Sequence, residues 1–363
     1  MTSAPLSSFT QGKNNNFNPI RIIAALAVLV SHSFALLLQP EPFGQSLGMS
    51  MGSIAVDIFF VASGFLVAGS LLARQSVSEY VLARVLRIYP ALIVMLVLTV
   101  FVLGAVFTSV PLDAYYTNGQ IYSYLMRCLT LISGVAYYLP GVFESNPFKG
   151  AVNGSLWTLV YEIKMYIFLA LFWLVSALSK KNRTKMFNAL MIASAVLALG
   201  VVFVRHFYLK DDSHAIRLFF MFFSGAAYWV LKDRIRLSTP LFLFLLCASA
   251  FSLLMSQDAF FIVYQLGVAY ALFYIAYVPA GAIRQYNALG DYSYGVYIYA
   301  FPVQQAVVAL FPGISVAAMM AMSAAVTLLL AILSWHVIEK RALRLKEFFL
   351  QRSRRALTGS ASM

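Results

Sequence analysis

Long apolar segments recur along almost the whole chain, and they constrain the fold more than any other feature. Each is about twenty residues long, which is enough to cross a hydrocarbon core of ~30 Å as a helix. Of the 363 residues, 61% are hydrophobic and 11% are charged, against about 25% charged in soluble domains. The sequence therefore predicts an all-α polytopic transmembrane helix bundle. Its spans number about ten: 18–38, 52–73, 89–109, 155–178, 187–206, 216–231, 239–256, 259–279, 293–311 and 314–337.

The distribution of lysine and arginine predicts the orientation of these spans. Most basic residues fall in the loops that share a side with the N-terminus, as the positive-inside rule requires of the cytoplasmic side. Both termini are therefore predicted to be cytoplasmic. The net charge of +13 then encodes topology, and no nucleic acid partner is predicted. The basic residues assigned to the inner side are Lys13, Arg21, Arg74, Arg84, Arg87, Lys180, Lys181, Arg183, Lys185, Lys232, Arg234, Arg236, Arg284, Lys340, Arg341, Arg344, Lys346, Arg352, Arg354 and Arg355.

One apolar stretch, 122–140, does not fit this alternation, because counting it as a span would move Lys181 and its neighbours to the outside. We interpret it as a re-entrant or interfacial part of a long outer loop over about 110–154. Gly134 and Pro140 suit irregular backbone, which membranes tolerate only where protein or water covers it.

We predict one transmembrane domain over 1–342 and a basic cytoplasmic tail over 343–363. In the tail, basic residues alternate with leucine and phenylalanine, a pattern typical of an interfacial helix held by anionic lipid. The two cysteines, Cys128 and Cys247, have no metal-ligand spacing, and no metal is predicted.

The first span contains two residues that a lipid-facing helix should lack. Arg21 and His32 are eleven positions apart, close to three helical turns, so both project from one face about 16 Å apart. Ionisable side chains at membrane depth usually face a bundle interior or a watery cavity. The alternative is that Arg21 extends to the cytoplasmic interface and His32 is an ordinary core histidine.

Two carboxylates are predicted to share the depth of His32. Asp57 and Glu162 lie a few residues into inward-running helices, which places all three groups near one plane. Lys164, two positions from Glu162, projects from a different face. Histidine paired with a carboxylate is typical of proton transfer, so a base that activates a substrate hydroxyl fits better than a covalent serine. A purely structural polar cluster is the alternative.

A second candidate cluster lies on the predicted cytoplasmic side. Arg84 and Arg87 in RVLRIYP are three positions apart and therefore share one helix face. Arginine binds phosphate in a bidentate manner. The alternative is an ordinary positive-inside loop.

Six motifs, in order, resemble the acyltransferase 3 family of integral-membrane acyltransferases. The resemblance extends from about residue 17 to residue 342. The motifs are PIRIIAALAVLVSH, VDIFFVASGFLV, RVLRIYP, GSLWTLVYE, LGDYSYGVYIYAFP and SWHVIEK.

The resemblance implies an O-acyltransferase that moves an acyl group, typically acetyl, from cytoplasmic acyl-coenzyme A to a carbohydrate hydroxyl. The acceptor would be a cell-envelope, exported or lipid-linked glycan, and acyl-coenzyme A would be the co-substrate. It further implies that His32 is the catalytic base, that Arg21 is its partner in the Arg–His pair, and that Asp57 and Glu162 are the acidic motif positions.

The resemblance also assigns Arg84 and Arg87 to the acyl donor, and we predict Arg21 as a further residue that binds the donor's phosphates. Many members carry a histidine in the ninth-helix motif, where this chain has Ala300. A bacterial inner membrane is the expected location, and the oligomeric state stays open. The rival hypothesis is a proton-coupled transporter that uses His32, Asp57 and Glu162 as a relay, although no inverted repeat is visible.

Overall fold

Ten long helices account for most of the structure. The computed structural model describes residues 3–12, 14–179 and 181–345, and each predicted span corresponds to a helix within them. The predicted all-α polytopic architecture is therefore confirmed. In chain order the helices are α1 (Phe17–Leu36), α2 (Met51–Arg74), α3 (Val77–Phe107), α4 (Trp157–Ser176), α5 (Arg183–Leu209), α6 (His214–Val230), α7 (Thr239–Met255), α8 (Gln257–Tyr277), α9 (Ser293–Leu310) and α10 (Val316–Leu345).

Length and composition distinguish two groups among these helices. Within the described residues, seven are long and apolar enough to cross a membrane, namely α1 to α5, α8 and α10. The other three, α6, α7 and α9, have 17, 17 and 18 residues. Large apolar side chains are exposed on several of these helices, including Phe244, Leu254 and Leu329, as expected for surfaces that face lipid.

Helix α3 begins twelve residues before the predicted span. Its N-terminus is fixed by Ser76, whose side-chain oxygen accepts a hydrogen bond from the backbone N–H of Glu79 at 3.3 Å. Arg84 and Arg87 therefore lie inside a continuous helix. Hydropathy did not predict this extension, because the first three turns of the helix contain several charged residues.

Three of the long helices contain a five-residue π-helical turn. These turns cover Thr99–Leu103 in α3, Arg205–Leu209 in α5 and Trp335–Glu339 in α10. A π-turn changes the direction in which the following side chains project, and such turns are frequent at functional sites.

The segment between α3 and α4 does not cross the membrane as a helix. Two short helices, Leu112–Thr117 and Gly119–Thr130, are followed by irregular backbone up to α4. The second helix has 12 residues, about 18 Å, which is too short for the hydrocarbon core. This agrees with the predicted re-entrant or interfacial segment.

Cys128 provides a chemical test of this segment. It is fully buried in Gly119–Thr130, and burial raises its thiol pKa to about 11. At pH 8 roughly one thiol in a thousand is then the reactive thiolate. In a Cys247→Ser background we expect Cys128 to resist a water-soluble maleimide, whereas an added Thr130→Cys on the exposed side of the same helix reacts readily. Equal labelling of the two sites would contradict the burial of Cys128.

The remaining regular elements are short. Strand β1 (Ala4–Pro5) pairs antiparallel with strand β2 (Arg236–Leu237), with Ala4 opposite Leu237. The short helices Leu6–Phe9 and Gly44–Leu47 and the 3₁₀ helix Ala282–Ala288 complete the described elements.

The chain forms two compact units, each built from separate stretches of sequence. Unit 1 comprises Met1–Gly69 and Thr158–Asp291, and unit 2 comprises Ser70–Trp157 and Tyr292–Met363. In unit 1, α5 packs on α6 and α7 packs on α8, whereas in unit 2 α9 packs on α10. Most of the predicted tail, from 346 onward, lies outside the described residues, as do Lys13 and Lys180.

Within unit 1, α2 and α6 approach each other more closely than any side chain would allow. A methyl group on Gly64 would overlap the carbonyl oxygen of Phe222, and one on Gly225 would overlap the carbonyl oxygen of Val61. Such reciprocal contact through small residues is a usual way for membrane helices to associate. This crossing holds α2, which carries Asp57, against α6.

Candidate active site in unit 1

The two ionisable residues of α1 lie in different surroundings. Near the start of the helix, Arg21 Nη1 donates a hydrogen bond to Asp291 Oδ2 at 2.7 Å, and both side chains are mostly buried. His32 lies eleven residues later, half-buried between the fully buried Ser31 and Ser33. The positive charge of Arg21 is thus compensated by a carboxylate from the LGDYSYG motif.

The turn of α1 that carries His32 packs beside the first turn of α2. Ser31 donates a hydrogen bond to Glu41 in the connecting loop. A methyl group on Gly52 would lie 2.8 Å from Ser31 Oγ, so little space separates the two helices there. We call this end of unit 1, where α1 ends and α2 begins, the distal end.

Asp57 lies at the centre of a buried polar group. Its side chain is fully buried and accepts a hydrogen bond from the Tyr264 hydroxyl at 3.0 Å. Arg217 Nε lies 3.5 Å from the other carboxylate oxygen, which makes a buried ion pair. Arg217 compensates the charge of this carboxylate, which would otherwise cost several kcal/mol to bury.

Sequence reasoning missed both partners of Asp57. Arg217 lies inside the predicted span 216–231, and it was an available signal because a charged residue in an apolar span usually faces the bundle interior. Tyr264 gave no signal, since tyrosines occur throughout the apolar segments.

Glu162 belongs to a second polar group on α4. It accepts hydrogen bonds from Ser63 Oγ, at 3.4 Å, and from the Tyr166 hydroxyl. Lys164 is exposed, with its ammonium 5.4 Å from the centre of the Tyr161 ring. The two charged residues of α4 thus point to different faces, as their spacing predicts.

The expectation that His32, Asp57 and Glu162 share one depth is wrong. The turn of α1 that carries His32 packs near Gly52 of α2, whereas Glu162 contacts Ser63 of α2. Gly52 and Ser63 are eleven residues apart, so His32 and Glu162 lie at levels about 16 Å apart along α2. Asp57 lies between these two levels. The prediction counted residues from each helix start, which assumes that all helices begin at one level. Tilted and staggered helices do not satisfy this assumption.

The two arginines assigned to the acyl donor lie in unit 2. Arg87 Nη1 is 3.2 Å from Glu339 Oε2, and its guanidinium lies 5.5 Å from the centre of the Tyr294 ring. Ser334 Oγ donates to the other oxygen of Glu339 at 2.9 Å. Arg84 is half-buried one turn before Arg87 on α3. The motifs RVLRIYP, LGDYSYG and SWHVIEK therefore meet at Arg87.

We expect Glu339→Ala to destabilise the protein strongly. Glu339 is 2% exposed, and its removal leaves the mostly buried Arg87 charge without this carboxylate. Breaking a buried ion pair costs about 3–5 kcal/mol. Thermal unfolding followed by size-exclusion chromatography should show a clearly lowered midpoint, whereas Lys340→Ala at the exposed next position should melt as wild type does. Equal midpoints for the two variants would contradict a structural role for the pair.

The described part of the chain contains no cluster of side chains that could hold a metal ion. No group of three or more histidine, cysteine, aspartate or glutamate side chains is close enough there to hold a metal ion. The donor groups of the site are one histidine, two carboxylates and arginines, which suit proton transfer and anion binding.

A membrane-embedded helical domain with a histidine, buried carboxylates and buried arginines fits the class of integral-membrane transferases. The chain belongs to the acyltransferase 3 family, because the model of that family's acyltransferase domain matches residues 14–336. The family resemblance read from the sequence is thereby confirmed. The protein is an integral membrane enzyme that transfers acyl groups, which favours the transferase hypothesis over the transporter.

Three relatives are similar in sequence to this chain, one over nearly all of it and two over part of it. An "O-acetyl transferase" of Shigella phage Sf6 is 31% identical over 351 residues, 91% of this chain and 96% of the relative. "Nodulation protein 10" of Rhizobium leguminosarum bv. viciae is 28% identical over 62% of this chain and 60% of the relative. An uncharacterised Haemophilus influenzae protein is 25% identical over 46% of this chain and 67% of its own length. No solved structure matches the chain.

Proposed function

We propose that this protein is a membrane O-acetyltransferase that uses acetyl-coenzyme A as donor and a hydroxyl of a cell-envelope or exported carbohydrate as acceptor. The observation that carries the proposal is the similarity to an O-acetyl transferase, which is 31% identical and is covered over 96% of its own length. Family membership supports acyl transfer, and the name of the relative supports both acetyl as the transferred group and oxygen as the atom that accepts it.

The buried polar groups of unit 1 support a proton-transfer role for His32. We propose that His32 removes the proton from the acceptor hydroxyl while the hydroxyl oxygen attacks the thioester carbonyl. The new C–O bond forms, the C–S bond breaks, and the proton passes to the coenzyme A sulfur. Asp57, paired with Arg217, and Glu162, bonded to Ser63, belong to separate polar clusters, so we propose that they fix the surrounding helices while His32 alone takes the proton.

Two arginines in unit 2 support an acyl donor that carries negative charge. We propose that Arg84 and Arg87 bind phosphates of acyl-coenzyme A. Glu339 and Tyr294 orient the guanidinium of Arg87, so its N–H donors are preorganised for a phosphate.

The charge distribution supports an orientation with both termini in the cytoplasm, and relatives from a Shigella phage, Rhizobium leguminosarum and Haemophilus influenzae support a bacterial inner membrane as the location. In this orientation the distal end of unit 1 faces outward, towards an exported or lipid-linked glycan. The proposed partners are thus membrane lipid and a carbohydrate acceptor, with no nucleic acid.

Donor dependence is the first test. Purified protein in vesicles is given radiolabelled acetyl-coenzyme A and a crude envelope-glycan fraction, and label in the glycan is measured. We expect transfer that requires both components and is unaffected by collapsing a proton gradient. Solute movement driven by the gradient, without transfer of label, would overturn the proposal in favour of a transporter.

A further inference from the structure

A polar cavity opens at the distal end of unit 1. Its volume is about 350 Å³, at the small end of the range for ligand pockets, roughly 300–1,000 Å³. We call it the distal cavity. The lining residues that carry the argument are Ser53, His206, Asp212, Arg217, Gln257 and Asp258.

His206 is held rigidly at the cavity by three contacts. Its Nδ1 lies 3.0 Å from Asp212 Oδ1, and its Nε2 lies 3.1 Å from Asp258 Oδ1. The imidazole ring stacks on Phe261, with centroids 3.9 Å apart and an interplanar angle of 11°. Both aspartates remain more than half exposed, so their other lone pairs are accessible to a ligand.

The charged groups around the cavity carry no excess of positive charge. Arg205 pairs with Asp211, Arg217 pairs with Asp57, and His206 faces two carboxylates. Because four carboxylates face two arginines and one histidine here, the walls offer hydrogen-bond donors and acceptors without a net attraction for anions. Carboxylates, amides and hydroxyls at close spacing suit a neutral ligand that is rich in hydroxyl groups.

Arg217 connects the cavity to the candidate catalytic residues. Its side chain lines the cavity and its Nε lies 3.5 Å from Asp57. Ser53 lines the same cavity one helical turn before Asp57 on α2. A ligand in the distal cavity is therefore one side chain away from the buried carboxylate.

We propose that the distal cavity is the acceptor subsite and that it binds a neutral sugar unit of the glycan. This inference rests on the proposed acetyltransferase function. Asp212 and Asp258 accept hydrogen bonds from sugar hydroxyls, and Arg217 is a positioning residue that acts through Asp57.

Protection from chemical modification tests the site without measuring catalysis. In the Cys247→Ser background, Ser53→Cys is allowed to react with a small methanethiosulfonate reagent in the presence and absence of the glycan fraction used for transfer. We expect the glycan to slow modification about tenfold. Ser46→Cys, an exposed position at the same end but not in the cavity lining, should react at the same rate with or without glycan.

The outcomes separate this inference from the proposed function. Transfer of label by wild type without protection at Ser53→Cys would overturn the acceptor subsite and leave the function intact. Protection without any transfer would uphold a glycan-binding cavity and refute the acetyltransferase.

A kinetic comparison tests the role of the carboxylates. We expect Asp258→Asn to raise the KM for the glycan about tenfold, the size of one hydrogen bond to a charged group, and to leave the KM for acetyl-coenzyme A unchanged. Asp113→Asn makes the same change in the first turn of another helix, Leu112–Thr117, and should alter neither constant. Equal changes in both constants, or none, would contradict direct acceptor binding.

Discussion

Replacing His32 by alanine is expected to reduce acetyl transfer about a thousandfold while leaving donor binding intact. General acid–base catalysis contributes roughly 10²–10⁴ to a rate, and no other histidine lies on α1. The side chain is half-buried and its neighbours Ser31 and Ser33 form their own hydrogen bonds, so the helix should fold without it. The measurement is the rate of label transfer at saturating acetyl-coenzyme A, together with the Kd for the donor.

The matched control is His336→Ala, the same chemical change at an exposed position of unit 2. That variant should transfer at close to the wild-type rate. If His32→Ala retains wild-type transfer, His32 is a packing residue and the base must be sought elsewhere. If it loses donor binding as well, its loss of activity reflects the donor site or the fold and does not support a base.

The second large effect is expected at the crossing of α2 and α6. Gly64→Ala places a methyl group on the carbonyl oxygen of Phe222, and the rigid backbone on both sides leaves no side chain that can move away. Overpacking of this kind costs about 3 kcal/mol. We expect a poor yield of folded protein and a strongly lowered thermal midpoint, measured by size-exclusion chromatography after heating.

Gly200→Ala is the matched control for this substitution. Gly200 also lies inside a long helix, α5, but a methyl group there meets no atom within 4 Å. Alanine favours a helix over glycine by about 1 kcal/mol in water, so this variant should be at least as stable as wild type. Similar melting of the two variants would show that α2 and α6 do not cross at Gly64.

The spans were predictable because they depend on apolar length alone. All ten predicted segments correspond to helices, and the non-spanning segment 122–140 was recognised from the charge pattern around it. The early start of α3 was not recognised, since its capping serine and charged first turns lie outside any apolar window. Hydropathy therefore located the helices better than it located their ends.

The candidate site was less predictable than the fold. Sequence position identified His32, Asp57 and Glu162 as unusual residues, but their partners are up to 207 positions away, as with Tyr264 and Asp57. Contacts over such separations depend on how helices are staggered and which faces meet. For the same reason no sequence motif indicated the distal cavity, which is lined by the ends of α2, α5, α6 and α8 and by the loops beside them.

The bond between Arg21 and Asp291 has a consequence for biogenesis, because its two residues are 270 positions apart. At about 5–20 residues per second, the ribosome completes Asp291 on the order of tens of seconds after Arg21. The first helix therefore enters the bilayer with its arginine before this counter-ion exists. Any nascent chain arrested before residue 291 must accommodate that charge by other means, through lipid headgroups or the insertion machinery.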